Sequence, residues 1–261
     1  MDIKLSKLPK ITIITVSFNS VKTIKDTIES ILAQDYSNIE YIIIDGGSSD
    51  KTVEIIKKYG NNISYFISEK DDGIYDAMNK GIMAATGDII GILNSDDFYQ
   101  NNSVLSDVAS AFQKNNRDCL YGDLVFVKAN NKNKIVRYWK AGEFSIVKLK
   151  NGWTLPHPTF FVCKRIYDRF GLYNIDLKSA SDYEMILRLL YKYNISVDYI
   201  PKVLVKMRTG GQSTASLLNR LKGNMEDTRA WKINRLEAPF LIRYKKPLIK
   251  IKQFFKKPGN E

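Results

Sequence analysis

Four short aliphatic runs in the first hundred residues constrain this chain more than any other feature. Ile11–Ser17 (ITIITVS), Glu40–Ile44 (EYIII), Ile63–Ile67 and Asp88–Leu93 (DIIGIL) read as strands. The first is a β-branched run long enough for a buried strand, and the second, with Ile42–Ile44, reads as another buried strand. Helical signals fall between them. Val21–Ala33 carries Ile24, Ile28, Ile31 and Leu32 at helical spacing. Ser49 or Asp50 can cap a helix running to Lys58, and Ile74–Ala84 reads as a helix ended by Thr86-Gly87. Strand–helix alternation at this rhythm predicts a mostly parallel α/β sheet with helices on both faces. Ligands in such sheets bind at the carboxyl ends of the strands. The loops expected to carry chemistry are therefore Ser17-Phe18-Asn19, Asp45-Gly46-Gly47-Ser48-Ser49-Asp50 and Asn94-Ser95-Asp96-Asp97.

The second half is less regular. Leu120–Lys128 and Lys134–Lys140 flank Asn130–Asn133 and predict a hairpin, hence an antiparallel addition to the sheet. Trp153–Phe161, broken by Pro156 and Pro158, reads as an extended loop or sheet edge. Ser181–Tyr193 reads as a helix, Val203–Met207 as a short strand, Gly210-Gly211 as a tight turn and Ser213–Arg235 as a long helix.

A chain of 261 residues with 44% hydrophobic and 26% charged residues can bury a sizeable core, so disordered and low-complexity classes are excluded. No run of 18 apolar residues predicts a membrane span, and Met1–Lys10 lacks the apolar centre of a signal peptide. Two distant cysteines, Cys119 and Cys163, fit a reducing compartment. A single histidine, His157, excludes two-histidine metalloprotease motifs. Between Arg220 and Lys257 stand 12 Lys+Arg against 3 Asp+Glu, so nine of the net +12 charges lie there and three elsewhere. That concentration suits an anionic partner, or a solubilising helix.

Four constellations could carry chemistry. Asp96-Asp97 follows a buried strand; adjacent carboxylates there suit a divalent cation on a substrate phosphate, or else cap a helix starting near Asn101. Asp45 can accept from a nucleobase or ribose, or simply organise the turn before Gly46-Gly47. Asp76, Asn79 and Lys80 share a helical face, functional or solvated. Asp182 opens a helix, as an N-cap or as a general base kept ionised by the helix dipole. Neither a Walker loop nor a Gly-x-Gly-x-x-Gly fingerprint is present.

Taken together, Ile13–Asn19, Ile44–Asp50 and Gly87–Asp97, with Asp72–Gly81, resemble the inverting glycosyltransferases of family 2, with the GT-A fold, in the branch of bacterial surface-polysaccharide clusters. The resemblance covers about residues 10–215 and implies a GT-A domain over 1–215, with a donor half (1–100) and an acceptor half (101–215), followed by a basic helical extension over 216–261. It places Val16, Ser17 and Phe18 against the nucleotide, Asp45 on the nucleobase, Asp72 and Asn79 with the donor, and Asp96 on the ribose or sugar. It makes Asp97 the ligand of Mn2+ or Mg2+ on the diphosphate and Asp182 the catalytic base. This chain departs from the family in having Asp45-Gly46 where many members have two acids, and Ser181 where an acid often precedes the base. His157 lies on the stretch that lines the acceptor side.

The implied activity is metal-dependent, inverting transfer from a nucleotide-sugar, a UDP-sugar being favoured, to a hydroxyl of a glycan or lipid-linked acceptor. Leu248, Ile251 and Phe255 share a helical face among Lys250, Lys252, Lys256 and Lys257, a pattern suited to an anionic membrane surface. The expected place is the cytoplasm, peripheral on the inner face of the cell membrane, and no motif suggests nucleic acid as a partner. The rivals are a nucleotidyltransferase, which would need a glycine-rich loop where this chain has Ser17–Lys22, and a degenerate sugar-binding protein, against which the four aspartates argue.

Overall fold

The computed structural model describes residues 8–210 and 217–239. The predicted alternation forms β1 (Ile11–Ser17), α1 (Ile24–Leu32), β2 (Ile39–Asp45), α2 (Thr52–Lys57), β3 (Tyr65–Ser68), α3 (Ile74–Ala84) and β4 (Ile89–Ile92). There follow β5 (Phe98–Tyr99), α4 (Val104–Asn115), β6 (Cys119–Lys128), β7 (Asn131–Trp139), α5 (Ile146–Lys150), β8 (Phe161–Cys163), α6 (Lys164–Phe170), α7 (Ser181–Ile186), β9 (Val197–Arg208) and α8 (Leu217–Ile233). One mixed sheet runs in the order β3-β2-β1-β4-β8-β6-β9-β5, with β7 on β6.

The first four strands are parallel, and every residue of β1 is buried, as its apolar run predicts. Their register brings Ser17, Asp45 and Ser68 side by side at the carboxyl edge. Helix α3 seats closely on this sheet because residue 81 is glycine: a Cβ there would lie 2.4 Å from Ile14 Cγ2.

Beyond β4 the sheet is mixed. β8 pairs antiparallel with both β4 and β6, so Phe161 opens a central strand rather than an edge. The predicted short strand 203–207 is the second half of the twelve-residue β9, parallel to β6. Asp96-Asp97 do not cap the next helix: they lead into β5, and α4 begins at Val104 after Ser103. The helix opening at Ser181 continues as a π-helical turn over Leu187–Lys192. Residues 213–216 of the predicted long helix, Gly211, and the whole segment 240–261, with Leu248, Ile251 and Phe255, lie outside the described residues.

A buried carboxylate at the amino end of the sheet gives this half its acid sensitivity. Burial alone would raise the pKa of Glu40, but hydrogen bonds from Thr12 (2.6 Å), from Thr86 through side chain and backbone, and from Lys10 bring it to about 2. A lowered folded-state pKa stabilises above the unfolded value of 4.5 and ceases to do so as pH falls toward about 2. Glu40→Gln is expected to cost on the order of 3 kcal/mol at pH 7. Urea unfolding across pH 7 to 2.5 checks this: the gap between parent and variant should narrow below pH about 4.5, and a gap independent of pH would refute it.

Candidate active site

The Asp45–Asp50 loop is held by the strand edge beneath it. Asp45 is fully buried and accepts four hydrogen bonds: from Ser17 Oγ (2.8 Å), Ser48 N (2.8 Å), Ser48 Oγ (2.6 Å) and Ser68 Oγ (2.7 Å). A carboxylate offers about four such positions. Asp45 therefore organises the turn, the plainer of its two expected roles, and its carboxylate has no position left for a nucleobase. Asn19, at φ 49°, closes the loop by accepting from Ser49 N at 2.9 Å while its own N–H donates to Ser48 Oγ at 2.8 Å.

The expected nucleotide contacts divide the same way. Val16 and Ser17 are buried, and their carbonyls accept from Ser95 N (3.3 Å) and Gly46 N (2.8 Å). Phe18 alone presents its side chain, 54% exposed. A Cβ on Gly46 would lie 3.0 Å from Asp71 Oδ2 and 3.5 Å from Phe18 Cδ2, so the glycine keeps open a slot between an aromatic ring and a carboxylate. Sequence reading missed Asp71; its signal was the acidic density at 71–76.

Lys80 Nζ gathers Asp71 (2.6 Å), Glu69 (2.8 Å) and Asp76 (3.3 Å). Burial nevertheless pushes the Asp71 carboxyl upward, against the pull of Lys80. Asp72 is exposed, and its carbonyl accepts from Lys178 Nζ at 3.1 Å. Asn79 is not on the solvent face with Asp76 and Lys80. It is buried, with Nδ2 donating to the Tyr173 carbonyl and Oδ1 accepting the Tyr173 N–H, each at 2.9 Å. Each end of its amide makes one such bond, so it clamps α3 to the chain before α7.

At the end of β4, Asp97 is fully buried and neither carboxylate oxygen has a hydrogen-bond partner among the described residues. Burial pushes its pKa well above the carboxylate range, and Asp96 beside it pushes the same way. Asp96 is raised too, chiefly by burial, with Arg208 opposing. Arg208 comes from the end of β9: it donates to the Asp96 carbonyl at 2.7 Å and pairs with Asp26 of α1. A buried carboxylate without a hydrogen-bond partner, beside the half-buried Asp96, fits a hard divalent cation whose remaining ligands come from phosphate and water. No group of three or more His, Cys, Asp or Glu is arranged to hold a metal among the described residues, so the protein alone would supply only part of a coordination shell. A hydrogen bond of 2.7 Å between Ser20 Oγ and Ser95 Oγ ties this loop to the one carrying Phe18.

Asp182 stands in the first turn of α7. Its Oδ1 accepts from Tyr75 Oη at 3.2 Å and from Tyr183 N at 2.8 Å. Tyr75 stacks on Tyr173, whose hydroxyl lies 2.7 Å from His157 Nε2. Burial lowers the His157 pKa, and the charge of Asp182 partly offsets this. Helix α3 is thus shared: the loop before it carries Asp71, and its first turn reaches Asp182.

The family model described as "Glycosyl transferase family 2" matches residues 12–174. A Mycobacterium tuberculosis protein named as an uncharacterized glycosyltransferase is 30% identical over 200 residues, covering 70% of each chain. Among solved structures, S. aureus TarS 1-349 in complex with UDP-GlcNAc superposes with a TM-score of 0.68 at 20% identity, over 90% of this chain and 69% of that one. The mannosyltransferase PcManGT of Pyrobaculum calidifontis, in complex with GDP-Man and Mn2+, gives 0.65 at 15% identity, over 95% and 70%. The α/β architecture is that of the GT-A glycosyltransferases.

Proposed function

Since the chain belongs to glycosyl transferase family 2 and is a glycosyltransferase, we propose that it moves a sugar from a nucleoside-diphosphate donor to an acceptor hydroxyl with inversion at C1. The observation that carries this reading is the buried, donor-free carboxylate of Asp97 beside Asp96. A divalent cation held there would offset the charge that grows on the departing diphosphate. The protein supplies the rest. The Phe18 ring takes the face of the base, with Asp71 at its edge to accept an N–H; Asp71 replaces Asp45 in this role. Asp72, exposed at the mouth of the same loop, and Asp96 face the donor.

Asp182 is the general base. It takes the proton of the acceptor hydroxyl as that oxygen bonds to C1 and the C1–O bond to phosphate breaks. A UDP-sugar is the favoured donor on the sequence resemblance; the fold is shared both with a structure in complex with UDP-GlcNAc and with one in complex with GDP-Man, each a nucleoside-diphosphate sugar. A glycan or lipid-linked acceptor is proposed on the sequence resemblance, and attachment to an anionic membrane on the basic residues from Arg220 onward. No described helix is long and apolar enough to cross a membrane.

Thermal shift with UDP-, GDP- and dTDP-sugars, each with and without MnCl2, tests the reading. One donor should stabilise strongly, and only with manganese, by about 2.7 kcal/mol at a hundredfold excess over its Kd. Absence of any shift with manganese across the series would overturn it.

A further inference from the structure

The Asp182 carboxylate is held from one side only. Tyr75 and the Tyr183 N–H both reach Oδ1, and Oδ2 accepts no hydrogen bond from any described residue. Tyr75 is buried, and burial first, then the charge of Asp182, raise its pKa well above that of a free phenol. Its hydroxyl therefore keeps its proton throughout the working pH range and donates a hydrogen bond to the Asp182 carboxylate. Tyr75 is in turn fixed. Its ring stacks on Tyr173 with centroids 5.7 Å apart, Tyr173 is bonded to His157, and the Tyr173 backbone is clamped by Asn79 from the same helix that carries Tyr75.

We propose that Tyr75 is the positioning residue of the base: it occupies Oδ1, leaves Oδ2 as the oxygen that takes the acceptor's proton, and is kept in place by Tyr173 and His157. The inference rests on the reading of Asp182 as base. Oδ2 receives the proton, the acceptor oxygen bonds to C1, and the electron pair of the broken C1–O bond leaves on the diphosphate. The hydroxyl fixes the approach of the carboxylate, and its loss has a kinetic signature: kcat falls while donor KM does not.

The groups facing Asp182 are Tyr75 from α3, Tyr173 from the preceding segment and His157 from the turn beyond. Full-length protein is assayed for UDP release from UDP-GlcNAc with manganese, water serving as acceptor. Tyr75→Phe keeps the stack and removes the donor. It should lower kcat about tenfold and change the donor KM less than about twofold.

Unchanged kcat in Tyr75→Phe overturns the proposal, as does a donor KM that rises as much as kcat falls. If Tyr75→Phe does not fold, Tyr173→Phe carries the test by cutting the tie to His157. It should lower kcat about threefold through loss of one hydrogen bond, and an unchanged kcat again overturns the proposal. Wild-type turnover in Asp182→Asn is a different failure: it removes the base reading itself, and the role of Tyr75 falls with it.

Discussion

Asp97→Ala is expected to abolish transfer while leaving the metal-free protein at least as stable as its parent. The parent keeps a carboxylate fully buried and without a hydrogen-bond donor among the described residues, which costs free energy until a cation arrives. Removing it relieves about 1–3 kcal/mol, partly offset by the small cavity left behind. A loss of several kcal/mol of charge stabilisation in the transition state corresponds to about a thousandfold or more in rate. Melting curves recorded with chelator, then with manganese and donor, separate the two effects. The parent should gain stability from manganese plus donor, and the variant should not. A variant that melts much lower than the parent with chelator present, or that retains turnover, would place Asp97 in the framework instead of the metal site.

Asp182→Asn should lower kcat by about 10²–10⁴-fold and leave donor affinity within about twofold. The amide keeps the size of the carboxylate and can still accept from Tyr75 and the Tyr183 N–H, so the local structure should persist. What it loses is the ability to take a proton. Single-turnover kinetics with pre-bound donor isolate that step. Collapse of donor binding, with normal turnover of whatever donor is bound, would move Asp182 to the donor site.

The parts legible in the sequence were those set by short-range pattern. Ile11–Ser17 and Ile74–Ala84 have the boundaries their periodicity predicts. The strand β8 was not legible, because three residues after Pro158 carry no period, and their central place comes from partners at 89–91 and 119–120. The inner half of β9, with Pro201 and Asp198, likewise holds its place by register with β6.

The site divides along the same line. Asp97 and Asp182 could be singled out from their positions at a strand end and a helix start. The saturation of Asp45 could not, because two of its donors sit on neighbouring strands. Asn79 lies about 60° round the helix from Asp76, at the boundary between solvent and core, and tertiary contact with Tyr173 decides which way it faces. The Tyr75–Asp182 bond joins residues 107 apart. No local rule could pair them.

The antiparallel seat of β8 between β4 and β6 bears on how such a chain can be inherited. A break near residue 100, the expected boundary of a donor half and an acceptor half, looks like a natural seam. Yet β4 has its partner at Phe161–Cys163, and β5 has its partner in β9. Cutting there would bare the apolar edge of β4 (IIGI) to water and invite chain-to-chain pairing. Gene fusion or shuffling could not exchange one portion without the other. Variation is therefore left to substitutions in loops, while the portions before and after residue 100 travel together.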